Sequence, residues 1–185
     1  VPSFDWEEII EALDSLLSTN VTMGSKVRLF ERLFSEYLEI KYAIMVNSGS
    51  SANLLALNIL SNPTLDNVIK PGDEIVAPAV TWSTTIFPII NIGATPVLVD
   101  VELDDFSIKI DDVEEAITER TKAIIPVHLL GFPCNMDEIM RIARRYNLFV
   151  VEDACEAHGA EWRGKKVGTF GDVGTFSFFF SHHIT

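Results

Sequence analysis

The chain has 185 residues, 48% of them apolar, and 27 acidic against 14 basic residues give a formal net charge of -13. That length supports one sizeable domain, or one and a part, and the apolar share supplies a large core. The acidic balance argues against nucleic acid or an anionic membrane as the main partner, while a local site for a small anion stays open.

Taken in chain order, strand-like and helix-like segments alternate. "FDWEEIIEALDSLL" spaces its apolar residues for a helix, with Ser3 as the candidate cap. After a break at Gly24, "SKVRLFERLFSEYL" sets Val27, Phe30, Phe34 and Tyr37 (or Leu38) on one helical face. "YAIMVN" reads as a short buried strand and "SSANLLALNIL" as a helix. "DEIVAP" (strand), "STTIFPIINIG" (helix), "TPVLVDV" (strand) and "DDVEEAITER" (helix) come next. "KAIIPV" and "LFVVED" are strands on either side of the helix "NMDEIMRIARRYN". "KKVGTFGDVGTFSFFF" closes the chain with two strand-like pieces. Continuous apolar strands between amphipathic helices indicate an α/β fold with a mostly parallel sheet. Residues 1–24 are read as an N-terminal helical segment and 25–185 as the main domain. Cys134 and Cys155 are too few for a disulfide framework, which points to a reducing, cytoplasmic setting. "VPSFDWEEII" lacks the pattern of a signal peptide, and Pro88, Asn91, Gly93 and Pro96 interrupt the longest apolar stretch.

In such sheets ligands bind beyond the carboxyl ends of the strands, so the residues after each strand carry the functional signal. "VNSGSSAN" offers Gly49 and the amides of Ser50, Ser51 and Ala52 as a phosphate seat at a helix start, or is ordinary capping by Ser48 or Ser50. "VVEDACEAHG" ends an apolar strand in Glu152 and Asp153; Asp153 either holds a protonated ring nitrogen or serves as the N-cap of a helix after the strand. Trp82 is either a stacking surface for an aromatic ligand or a plug over the sheet edge. His128 reads as a hydrogen-bonded structural histidine. Cys155 and His158 are half of a metal spacing with no second half, so no metal is expected. His182 and His183 end an aromatic run and alone read as the polar end of a core strand. Together, phosphate seat, stacking ring, buried carboxylate and a strand ending in a base describe a pocket for a phosphorylated aromatic heterocycle, the shape of pyridoxal phosphate.

At this point "VTMGSKVRLFERLFSEYL", "NSGSSANLLAL", "KPGDEIVAPAVTWSTT" and "GTFGDVGTFSF" resemble blocks of the DegT/DnrJ/EryC1/StrS family, the sugar aminotransferases and their dehydratase relatives. The resemblance implies the large domain of fold type I, a pyridoxal or pyridoxamine phosphate cofactor and a homodimer. It also implies that the chain stops short of a C-terminal small domain. By position it implies phosphate contacts from the backbone around Ser50 and Ser51 and from the Ser177 hydroxyl. Trp82 and Ala154, or its neighbourhood, would flank the ring, and Asp153 would pair with its nitrogen. Glu156 stands where the family usually has glutamine, and would meet the cofactor's phenolic oxygen or tune His182.

Aminotransferases of the family carry their cofactor-bonding lysine five positions after the serine that is here Ser177, and the residue there is His182. "FSHHIT", "EDACEAHG" and "TWSTTIFP" look most like the GDP-4-keto-6-deoxy-D-mannose 3-dehydratase type. The implied function is removal of the 3-hydroxyl of a nucleotide-linked 4-keto-6-deoxyhexose, in deoxysugar synthesis for a surface polysaccharide. His182 would serve as base and L-glutamate as amino donor. A sugar aminotransferase, and an incomplete, inactive cofactor-binding fragment, are the alternatives. His183 is expected to point away from the cofactor.

Overall fold

The computed structural model describes residues 5–65 and 67–182; Ser3 and His183 lie outside the described residues. Helix α1 (Trp6–Leu17) begins at Asp5, which accepts the Glu7 N–H at 3.0 Å while Glu8 reaches back to the Asp5 N–H at 2.8 Å. This reciprocal cap satisfies two donors at the helix start. The helix buries none of its residues, and Lys26 ties it to α2 (Ser25–Leu38) through ion pairs with Glu11 and Asp14.

The remaining elements are α3 (Gly49–Leu60), β1 (Glu74–Pro78), α4 (Ser83–Asn91), β2 (Thr95–Val99), α5 (Ile110–Glu115) and β3 (Thr121–Ile124), then α6 (Met136–Tyr146) and β4 (Phe149–Asp153). A hairpin of β5 (Glu161–Trp162) and β6 (Lys165–Lys166) turns through Arg163 and Gly164, both at positive φ, and leads to β7 (Val173–Thr175). Five strands form one parallel sheet in the order β2-β1-β3-β4-β7. From β1 the chain proceeds first to β2 on one side and later to β3 on the other, which opens a crevice at the carboxyl ends of the strands.

Strand alternation divides the core into two layers. Ile75, Ala77, Ala123, Ile125 and Val151 pack against Leu57 and Leu60 of α3 and Ile89 of α4. Val76, Ile124 and Val150 pack on the other face against Val113 of α5 and Ile139 and Ile142 of α6. Helices on both faces explain why the strands read as continuous apolar runs.

Two sequence expectations are corrected. "YAIMVN" forms no strand, and Tyr42 and Ile44 are exposed at 72% and 66%, because no strand among the described residues pairs with this segment; the Met45 N–H goes instead to the Glu31 side chain at 2.9 Å. The "GTFSFFF" strand ends at Thr175, which pairs with Asp153, the last residue of β4. Beyond that pair β4 offers no further ladder, so the chain leaves the sheet and Phe179 and Phe180 are exposed. Among the described residues no helix is long and apolar enough to cross a membrane.

Candidate active site

Glu152 and Asp153 end β4 and point to opposite faces. Glu152 is fully buried, and its carboxylate accepts four donors. Oε1 takes the Phe170 and Gly171 N–H groups at 2.6 and 2.7 Å, and Oε2 takes Gly168 N–H at 2.7 Å. The fourth is His128, whose Nδ1 accepts the Cys134 N–H at 3.1 Å, so its proton sits on Nε2 and donates to Glu152 Oε2 at 3.2 Å. Burial pushes the Cys134 thiol up to about 12. Glu152 therefore fastens the "GTFG" turn under the sheet, and His128 is structural. These are the donors that a buried carboxylate requires.

Asp153 faces the carboxyl-end crevice. Its Oδ2 accepts Asn53 Nδ2 and Thr85 Oγ1, each at 2.8 Å, and its Oδ1 accepts the Cys155 N–H at 3.2 Å. The capping alternative is thus partly realised, by a single turn at Cys155. Thr175 Oγ1 meets Asn53 Oδ1 at 2.6 Å behind this group. Asn53, Thr85 and Thr175 were not singled out in the sequence. Asn53 did carry a signal, since it occupies the buried stripe of α3 with Ala56, Leu57 and Leu60.

At the start of α3, Ser48 is the cap and accepts the Ser51 N–H at 3.2 Å, while its carbonyl accepts Ala52 N–H at 3.0 Å. The amides of Ser51 and Ala52 are consumed there. Gly49 and Ser50, the first helical residues, have no carbonyl four positions back within the helix and line the crevice. Gly49 is required by space: a Cβ there would stand 2.8 Å from Ser177 Cβ and 2.9 Å from Cys155 Sγ. Ser177 is buried beside this helix start, and its Oγ accepts the Phe179 N–H at 3.2 Å.

These groups surround one cavity of about 1230 Å³. Gly49, Ser50, Trp82, Asp153, Glu156, Ser177 and His182 all line it; Ser51 does not, and Ala154 is buried with Ala157 and Val167, leaving its neighbour Cys155 on the cavity wall. Trp82 is 76% exposed at the N-cap of α4, a free aromatic face rather than a plug. His182 sits in a turn, its N–H donating to Phe179 O at 2.8 Å and its ring edge-on to Phe179. Its Nε2 lies 3.9 Å from Glu156 Oε1, while Glu156 Oε2 accepts the Leu130 N–H at 3.0 Å. Among the described residues Lys41 is the one lysine lining the cavity, with its ammonium over the Tyr42 ring. Lys165 and Lys166 are engaged over Phe170 and Tyr37 instead.

The chain is 45% identical to the GDP-4-keto-6-deoxy-D-mannose 3-dehydratase of Yersinia pseudotuberculosis, over 98% of this chain and 47% of that protein. It is 43% identical to the GDP-perosamine synthase of Caulobacter vibrioides, over 100% of this chain and 48% of that protein. The solved E. coli GDP-4-keto-6-deoxy-D-mannose-3-dehydratase with bound hydrated PLP superimposes with a TM-score of 0.90 at 43% identity, covering 100% of this chain and 48% of that one. The chain thus spans about half the length of these relatives, and its fold is that of the fold type I large domain. The model of the DegT/DnrJ/EryC1/StrS aminotransferase family matches residues 3–185, and the chain belongs to that family.

Proposed function

We propose that the cavity binds pyridoxal and pyridoxamine phosphate, and that the protein removes the 3-hydroxyl of a nucleotide-linked 4-keto-6-deoxyhexose. The residues present fit the cofactor. Gly49 lets the start of α3 pack directly against Ser177, which brings the first helix amides, suited to a phosphate, beside the Ser177 hydroxyl, and Asp153 is a buried carboxylate with a lone pair to spare. When bound, the cofactor supplies an amine for the keto group and a ring that accepts electrons.

In this reading the amides of Gly49 and Ser50 and the Ser177 hydroxyl hold the phosphate. Trp82 covers the ring, and Asp153 accepts the hydrogen bond of its nitrogen. His182 takes and returns a proton at the cofactor's methylene carbon. Glu156 Oε1, 3.9 Å from Nε2, is the carboxylate on that side of the ring and has the task of orienting the base, while Nδ1 has no hydrogen-bond partner among the described residues. An imidazole cannot form the neutral covalent link that a lysine amine forms, so the cofactor is held without a bond to the chain. L-glutamate is the amino donor and a homodimer the working unit, both inferred from the family likeness.

The observation that carries this reading is His182 on the cavity wall, five positions after Ser177, where aminotransferases of the family place lysine. The likeness to GDP-perosamine synthase favours a second reading, sugar aminotransfer, for which Lys41 is the lysine available in the cavity. His182→Asn and Lys41→Ala, each assayed with a GDP-linked 4-keto-6-deoxyhexose, pyridoxamine phosphate and glutamate, separate the two. Loss of 3-deoxygenation in His182→Asn with retention in Lys41→Ala is expected. An aminated sugar lost in Lys41→Ala would favour the second reading.

A further inference from the structure

Helix α4 contains Pro88, which has no N–H to give to the carbonyl of Thr84, four residues earlier. The Thr84 oxygen takes a hydrogen bond from Asn53 Nδ2 at 3.3 Å, and the same nitrogen donates to Asp153 Oδ2 at 2.8 Å. A peptide carbonyl only accepts, so the Asn53 amide has its nitrogen on this side and its oxygen on the other. There the oxygen meets Thr175 Oγ1 at 2.6 Å, and the Thr175 hydroxyl must be the donor; its other acceptor, Glu152 O, is farther away at 3.3 Å. From the opposite direction, Thr81 Oγ1 lies 2.9 Å from Thr85 Oγ1, which lies 2.8 Å from Asp153 Oδ2. Two chains of donors, Thr175 to Asn53 and Thr81 to Thr85, converge on that single oxygen.

The consequence is directional. Oδ2 is filled by two donors, whereas Oδ1 takes the longer Cys155 N–H bond, with the Cys155 thiol also interacting with this carboxylate. A ligand with a hydrogen-bond donor is therefore received at Oδ1, and a ligand presenting a bare lone pair there meets an acceptor. We propose that Asn53, Thr85 and Thr175 are positioning residues that fix Asp153 as a one-sided acceptor, so that the site takes the ring-protonated form of its cofactor. This rests on the function proposed above. Pro88 belongs to the same device, because it frees the carbonyl that sets the orientation of Asn53.

The test uses pyridoxal phosphate labelled with ¹⁵N in the ring, bound to the purified protein at neutral pH. The ¹⁵N resonance distinguishes a protonated from an unprotonated ring nitrogen. The unsubstituted protein is expected to show the protonated frequency. Thr175→Val keeps the side-chain shape and removes the donor. It should move the resonance toward the unprotonated frequency and weaken binding about tenfold, the scale of one hydrogen bond in a charged network. Thr175→Ser should restore both, and Asn53→Leu should move both further than Thr175→Val. A purely structural role would change the thermal midpoint and leave the resonance of the bound cofactor in place; that result in Thr175→Val overturns the proposal. An unprotonated nitrogen in the unsubstituted protein also overturns it while the reading of the site stands. Absence of binding to the unsubstituted protein overturns both.

Discussion

Gly49→Ala tests how closely the two halves of the phosphate seat are packed. The added Cβ would lie 2.8 Å from Ser177 Cβ, 2.9 Å from Cys155 Sγ and 3.1 Å from Ser177 Oγ. Carbon atoms settle at about 3.5–4.0 Å, so α3 and the exit of β7 must part by roughly 1 Å. The shortest contact cannot be relieved by rotating a side chain, because Ser177 Cβ is fixed to the backbone. Overpacking of this kind costs about 1–3 kcal/mol. At about 2–4 °C per kcal/mol for a domain of this size, the thermal midpoint should fall by about 2–12 °C. The same parting carries the Gly49 and Ser50 amides away from Ser177 Oγ, so pyridoxal phosphate should bind at least about tenfold more weakly. Differential scanning fluorimetry gives the first quantity and an absorbance titration the second. Adding Ser177→Gly to Gly49→Ala should recover part of the midpoint, since it removes two of the three contacts, but none of the affinity. Unchanged affinity in Gly49→Ala would refute the reasoning, because it would mean that the phosphate does not sit between these groups.

Two further perturbations address the support of the site. Glu152→Gln leaves an NH₂ facing N–H donors where a carboxylate oxygen had accepted them. It should lower the unfolding free energy by about 3–5 kcal/mol, read from urea titration, and native-like stability would contradict the role of Glu152 in holding the "GTFG" turn. On the outer face, the Arg141 guanidinium, donating to Glu114 Oε2 at 2.9 Å, holds the Glu114 carboxyl below its usual value. A carboxyl depressed in the folded state adds stability above its unfolded pKa, and that stability is lost as pH falls through the folded value. Glu114→Gln should therefore lower the thermal midpoint at neutral pH and converge with the unsubstituted protein on acidification; a constant gap across that range would contradict the pairing.

The layers of the fold were legible because the strands of the parallel sheet are largely apolar and amphipathic helices alternate with them, patterns that survive without tertiary information. "YAIMVN" and "GTFSFFF" failed for one shared reason: a β-prone run becomes a strand only beside a partner, and β4 ends at Asp153. The chemistry-bearing residues after the strands were legible for the opposite reason, since the parallel topology gathers strand ends at one edge. The groups that hold them were not. Glu152 was legible only as a carboxylate in need of a partner; its four donors come from His128 and from the turn 16 to 19 positions later. Asn53 is joined to Asp153 across 100 positions of sequence, and Thr175 to Asn53 across 122. Such partners depend on which faces the sheet brings together, and spacing carries no trace of them. Asn53 alone carried an unread signal, as an amide in an apolar stripe, but nothing near it in sequence named its acceptor.

The central claim is that His182 occupies the position of a covalent lysine without making its bond. An absorbance titration with pyridoxal phosphate, then glutamate and finally borohydride, tests it most directly. The expected result is saturable and reversible binding, conversion by glutamate to the pyridoxamine phosphate spectrum, and no cofactor attached to the chain after reduction. A borohydride-trapped adduct mapped by mass spectrometry to a lysine, Lys41 above all, would contradict it and place the protein with the lysine-dependent aminotransferases.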